Sequence, residues 1–185
     1  MRTNEGDGNS HIGGIMNILP RFLKDIGDSI KFTLENAHIT ASLILTYSAI
    51  DCMASLIMPE GQKKVTGDDF RGWVDKYMEA AQDQSYQYQG IDLWGARCGL
   101  VHRYSARSDI SERGECKIFQ YHDGDSHIYD RSISENVVMI SAPRLIRDFY
   151  KAMGMFLKDL IEDEKLRERA NSRVSTLFQI IPYKE

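Results

Sequence analysis

The sequence has little basic charge to spare: 23 Lys+Arg stand against 27 Asp+Glu, a formal charge of -4. That excludes a protein that coats duplex nucleic acid by bulk electrostatics, so any polyanion contact must come from a local basic patch. Cysteine is scarce as well. Cys52, Cys98 and Cys116 are odd in number and widely spaced, which rules out a disulfide framework and predicts reduced thiols in a cytoplasmic protein. Proline is low, 4 against 14 Gly, with no internal repeat and no low-complexity segment. Met1 to Gly14 has no basic stretch leading into an apolar one, so it does not read as a secretory signal. The single long apolar run, Ile39 to Met58, is interrupted by Asp51 and by Thr46, Ser48 and Ser55. A buried helix is expected there, with no membrane partner.

What remains is one domain of ordinary size, 185 residues with 42% hydrophobic and 27% charged. Residues 1–18 read as a flexible, Gly-rich segment ahead of a domain spanning 19–185. Apolar residues at Phe22, Leu23, Ile26, Ile30 and Leu34 predict a first helix over Leu19 to Asn36. Ile39 to Met58 is the second, stopped by Pro59-Glu60-Gly61. Thr66 followed by Asp68 and Asp69 opens a third helix carrying Phe70, Trp73, Val74 and Tyr77, and a fourth is expected from about Ile91 to His102. The period then changes. Cys116 to Tyr121 and Ile128 to Ile133 flank a turn-like His122-Asp-Gly-Asp-Ser-His127, which predicts a β-hairpin, with Val137 to Ile140 as an added strand. From Pro143 a long helix is expected, its later part, Glu162 to Arg173, dense in mixed charge. The fold class is mainly α: a helical bundle with a small inserted β-hairpin before its last long helix.

Two stretches could carry chemistry. Ser48, Asp51 and Ser55 form a polar stripe at i, i+3 and i+7 on the apolar second helix, and a buried carboxylate needs partners. The fourth helix contains Gly95, Arg97, Cys98, Gly99 and His102. Each helical Gly costs about 1 kcal/mol relative to Ala, so the Gly95/Gly99 face implies the close approach of another backbone, with His102 at i+7 from Gly95 on that side. A capping histidine at the helix C-terminus is the plain alternative. The four soft side chains Cys98, His102, Cys116 and His122 lack a Cys-x2-Cys knuckle, so no zinc site is expected. The Asp123-Gly124-Asp125 turn lacks the further carboxylates of a calcium loop. No metal or cofactor is called for.

Arg97-Cys-Gly-Leu-Val-His102 has the Arg-x4-6-His form of the HEPN superfamily (higher eukaryotes and prokaryotes nucleotide-binding domains). With Thr46-Tyr-Ser-Ala-Ile-Asp51-Cys and Asp92-Leu-Trp-Gly-Ala-Arg97, the chain resembles a bacterial, often plasmid-borne branch of it over roughly Ile39 to Arg107. The resemblance implies a HEPN-like bundle and a metal-independent endoribonuclease, acting as a toxin or in defence, paired with an antitoxin such as a nucleotidyltransferase.

Cleaving RNA without metal requires proton transfers at the 2′-hydroxyl and the 5′-oxygen and a cation against the phosphorane. His102 suits the first and Arg97 the second, with Asp51, supported by Ser48 and Cys98, orienting one of them. Residues five apart on a helix point about 140° apart, so Arg97 and His102 are not expected side by side. The resemblance resolves this through a homodimer whose two motif helices make a composite site, with Gly95 and Gly99 at the contact. Arg103, Arg107 and Arg113 add a local positive stretch for RNA, and Tyr104 and Trp94 could stack on bases. One departure is Cys98, where many active members have a polar residue after the motif Arg. It favours the alternative, a non-catalytic HEPN-like dimerisation or partner-binding module.

Overall fold

The computed structural model describes residues 10–174 and Leu177, with side chains from Leu19 onward. Its architecture is mainly helical: seven helices and a two-stranded parallel sheet among the described residues. Helix α1 (Ser10–Glu35) starts well ahead of the expected Leu19, so residues 10–18 of the segment read as flexible are helical, while residues 1–9 lie outside the described residues. Ala37, at φ 60, turns the chain into α2 (Ile39–Leu56).

Helix α2 is the central element, burying Leu43, Tyr47, Ile50, Met53 and Leu56 against its neighbours. By length and composition it could cross a membrane, but half of it is buried inside the fold. Gly61, at φ 81, closes the turn after Pro59. Helix α3 (Gly67–Tyr77) then opens on a Thr66/Asp69 capping box, at the acidic start expected from the sequence. Trp73 packs against Phe149 and Phe156 between α3 and the later helix α6 (Ala142–Glu162).

Helix α4 (Gly90–Arg103) is pinned at its start by Asp92, a buried carboxylate that accepts the Gln89 and Lys117 amides and the Tyr86 hydroxyl. It ends at Tyr104, in the left-handed region at φ 52. A short turn of helix, α5 (Asp109–Glu112), leads into strand β1 (Ile118–His122).

The expected hairpin does not form. Strand β1 pairs in parallel with β2 (Val137–Ser141), Ile118 opposite Val137 and His122 opposite Ser141. Of the Ile128 to Ile133 segment, only Ile128 bridges Met139. The reason lies in two local facts. Asp130 folds 130–134 into a turn, accepting the Ser132 amide on its side chain and the Ile133 and Ser134 amides on its carbonyl. Val138 and Ile140, fully buried, therefore fill the place beside β1, while Ile133 stays 83% exposed.

The long terminal helix is also two. Helix α6 (Ala142–Glu162), capped by Ser141, breaks at Asp163, whose backbone is extended and whose carboxylate accepts the Leu166 amide to start α7 (Glu164–Val174).

Candidate functional site

Asp51, on α2, and Arg97, on α4, face each other where the two helices cross. Arg97 donates from Nε to Oδ2 of Asp51 at 2.8 Å, and its Nη2 lies 2.7 Å from the same oxygen in an ion pair. The two side chains keep only 16% and 21% of their surface exposed, so this is a pair of charges largely withdrawn from water. Burial pushes the Asp51 carboxyl above its usual value, and the Arg97 guanidinium works against that rise by hydrogen bond and by charge. The neighbouring Cys52 thiol is raised to about 12 by burial and by Asp51.

The remaining arm of the guanidinium reaches along its own helix. Nη1 of Arg97 lies 2.6 Å from Nε2 of His102. A guanidinium only donates, so Nε2 accepts and the neutral ring carries its proton on Nδ1. The two were not expected side by side, yet their side-chain ends meet within one chain. The Cα atoms are about 7.5 Å apart along the axis and 140° around it, but the long Arg side chain spans the gap once Asp51 has drawn it over the exposed end of α4. Asp51, Arg97 and His102 thus form one continuous hydrogen-bonded line, with His102 exposed at its outer end.

The glycines serve a different purpose from the one expected. A Cβ on Gly95 would overlap Sγ of Cys116, and one on Gly99 would sit 2.6 Å from the Ser105 carbonyl oxygen and 2.8 Å from that of Arg107. Both faces are filled by the chain's own 105–116 segment, so Gly95 and Gly99 are not surfaces left for a second copy. The expected close backbone approach occurs at Gly99, from within the same chain, while Gly95 meets the Cys116 side chain. Within the chain His102 is on no helix-helix contact, since it is exposed.

The supporting residues divide. Ser48 is exposed and makes no hydrogen bond to Asp51, Arg97 or His102, while Ser55 donates to the Cys52 carbonyl. The polar stripe on α2 is therefore no unit. Cys98 is half-buried beside Arg97, its thiol raised by burial and lowered by the guanidinium. Arg103 pairs with Asp109 and Arg113 with Glu115, so the positive stretch is largely neutralised in place; exposed Arg107 is not among the ion-paired residues. Tyr104 is 76% exposed. Trp94 is not an open platform for bases: its ring lies 5.3 Å from Phe70 and 5.2 Å from the Arg97 guanidinium. The four soft side chains weighed for zinc do not converge, and no metal-type cluster of three occurs among the described residues. An open groove lined by Arg71, Asp75, Gln89 and Ile91 lies at the opposite end of α4 from His102.

A second polar cluster escaped the sequence reading. His127, 2% exposed, accepts the Ser141 amide on Nδ1, which leaves the proton of its neutral ring on Nε2, buried and without a partner. Asp148, 1% exposed, accepts the Tyr88 hydroxyl at 3.1 Å on Oδ2, while its Oδ1 is unpartnered, as is Nε of Arg144. Burial lowers the His127 imidazole to about 4, with help from Arg144 and His122. The signal available was the pair His122 and His127 flanking a turn, which reads as loop composition.

No family model, no curated protein and no solved structure matches this chain.

Proposed function

We propose that the chain is a metal-independent endoribonuclease of the HEPN type, in which His102 and Arg97 act on RNA and Asp51 fixes the guanidinium. The observation that carries this reading is the line Asp51, Arg97, His102, with both hydrogen bonds under 3 Å and the histidine at the solvent end. In this arrangement Nε2 of His102 offers a lone pair, the state a general base needs. An RNA phosphate arriving at Arg97 competes for Nη1 and frees Nε2 to take the 2′-hydroxyl proton. The 2′-oxygen then attacks phosphorus, the P–O5′ bond breaks, and Arg97 stabilises the phosphorane. Protonation of the leaving 5′-oxygen needs a second acid, which a homodimer supplies as the other His102. The substrate is then RNA, the role that of a toxin or defence effector, and the cognate partner an antitoxin such as a nucleotidyltransferase.

The test is cleavage of single-stranded RNA in excess EDTA. Arg97→Ala and His102→Ala should each lower the rate by about 100-fold or more, with circular dichroism unchanged. Wild-type cleavage that survives in both variants overturns the roles.

One observation favours a second reading, a non-catalytic HEPN-like module that dimerises or docks to a protein. Asp51, Asp109 and Glu115 neutralise three of the four arginines between 97 and 113, which leaves little free charge for a phosphate chain. Under that reading the purified protein neither binds nor cuts RNA, and His102→Ala weakens its complex instead.

A further inference from the structure

We infer that Trp94 is a positioning residue for Arg97, an inference that rests on the ribonuclease reading above and adds a residue to it. Asp51 alone leaves the guanidinium incompletely fixed. A fork that meets two carboxylate oxygens is fixed in its plane. Here Nε donates to Oδ2 and Nη2 lies closest to that same oxygen, so Oδ2 is a pivot and the guanidinium plane can swing about it. The swing moves Nη1, the arm that reaches His102 and would meet a phosphate. A second contact is needed to stop it.

Trp94 supplies that contact. It precedes Arg97 by three residues on α4, so the two side chains are neighbours on one helical face. The guanidinium carbon lies 5.2 Å from the indole centroid, within the range where a cation is attracted to the ring. Arg97, being planar and weakly hydrated, suits such stacking better than lysine would.

The indole is itself fixed from outside α4. Its ring leans on Phe70, fully buried, at 5.3 Å and 52°. Its edge lies against the first residue of α3, where a Cβ on Gly67 would be 3.0 Å from both Cε2 and Nε1. The glycine at that position is explained by the indole, since α3 has Thr66 and Asp69 for its capping and no positive φ at Gly67. The guanidinium is thus held by a carboxylate from α2 and an aromatic ring braced on α3.

Three variants test this, each checked for folding by circular dichroism. Trp94→Leu should lower kcat for RNA cleavage by about 10- to 100-fold, the scale of a misplaced reacting group, and leave KM nearly unchanged. Trp94→Phe, which keeps an aromatic face, should recover most of that loss. Gly67→Ala touches neither Trp94 nor Arg97 covalently, and by displacing the indole edge should reproduce part of the kcat loss.

A second readout does not depend on activity: the Arg97 Nε–H signal in a nitrogen-proton NMR spectrum, assigned by its disappearance in Arg97→Lys. A discrete, slowly exchanging signal is expected in the wild type and in Trp94→Phe, and a broadened or lost one in Trp94→Leu. An unchanged Arg97 signal in Trp94→Leu overturns the positioning role. Absence of cleavage by the wild type overturns the ribonuclease reading alone, because the NMR comparison still decides whether Trp94 fixes Arg97.

Discussion

Gly95 and Gly99 of α4 make opposite predictions depending on what covers them, and the structure sets the magnitudes. On Gly99 a new methyl group would face the carbonyl oxygens of Ser105 and Arg107 at 2.6 and 2.8 Å, with the Arg107 carbonyl carbon at 3.1 Å. These are backbone atoms, so relief requires the whole 105–107 segment to shift. Overpacking of this kind costs about 1–3 kcal/mol, and the better helix propensity of Ala returns about 1. With immovable neighbours the cost belongs near the top of the range, a net loss of about 2 kcal/mol or about 4–8 °C in Tm for a chain of this size. On Gly95 the methyl would overlap only the thiol of Cys116, a single atom that can be removed. Gly95→Ala should lose about 1 kcal/mol net and Cys116→Ala about 1 for its half-buried sulfur. The double variant should return close to wild type, because the clash is gone and the propensity gain remains. The coupling energy is then about 2 kcal/mol. Urea denaturation of the four proteins measures it, with light scattering to follow the oligomeric state. If Gly95→Ala is neutral alone, uncoupled to Cys116, and splits a dimer, then the face belongs to a second copy and the intramolecular account fails.

Two further outcomes concern the cluster at the start of α6. His127 has an imidazole lowered from 6.5 to about 4, so the unfolded chain takes up a proton that the folded one refuses, and stability is lost as pH falls from 6.5 towards 4. The full effect is about 3 kcal/mol. Asp148, raised by burial, titrates in the opposite sense, so thermal unfolding of His127→Gln across this window should be flatter than wild type; an equally steep wild-type and variant profile would reject the assignment. Tyr88→Phe strips Asp148 of its hydroxyl donor and should cost about 1–3 kcal/mol at pH 7. Adding Asp148→Leu should recover much of it in urea denaturation, and no recovery would mean that the pair is not what the phenol satisfies.

Much of the helical framework was legible because it rests on local chemistry. The acidic start after Thr66 marks α3, which the structure closes with a Thr66/Asp69 capping box, and α2 and α4 end within two residues of the bounds that their apolar periods and turn residues imply. The parts that were not legible depend on partners distant in sequence. Val137 to Ser141 displaces the Ile128 segment beside β1 through burial, which alternation alone does not report. The break at Asp163 comes from one side chain choosing to cap rather than continue a helix, a choice that mixed charge hides.

The same distinction decides what the motif could say about its own site. Arg97 and His102 were visible as a spacing, and that spacing, taken as directions on a cylinder, argued that they stay apart. Asp51 was visible as an acid in an apolar run in need of a partner. Neither fact alone brings them together. The paired need does: a half-buried carboxylate on α2 pulls a long cation across α4, and the cation's free arm then meets the histidine. The net charge of the chain acts at the same place. A chain at -4 has acids to spare, and beside its motif it places them on Arg97, Arg103 and Arg113. Any phosphate that binds there must displace or share these contacts, so affinity for RNA should be weak and salt-sensitive. The exposed Arg107, which is not among these pairs, should then carry more of the binding than its neighbours.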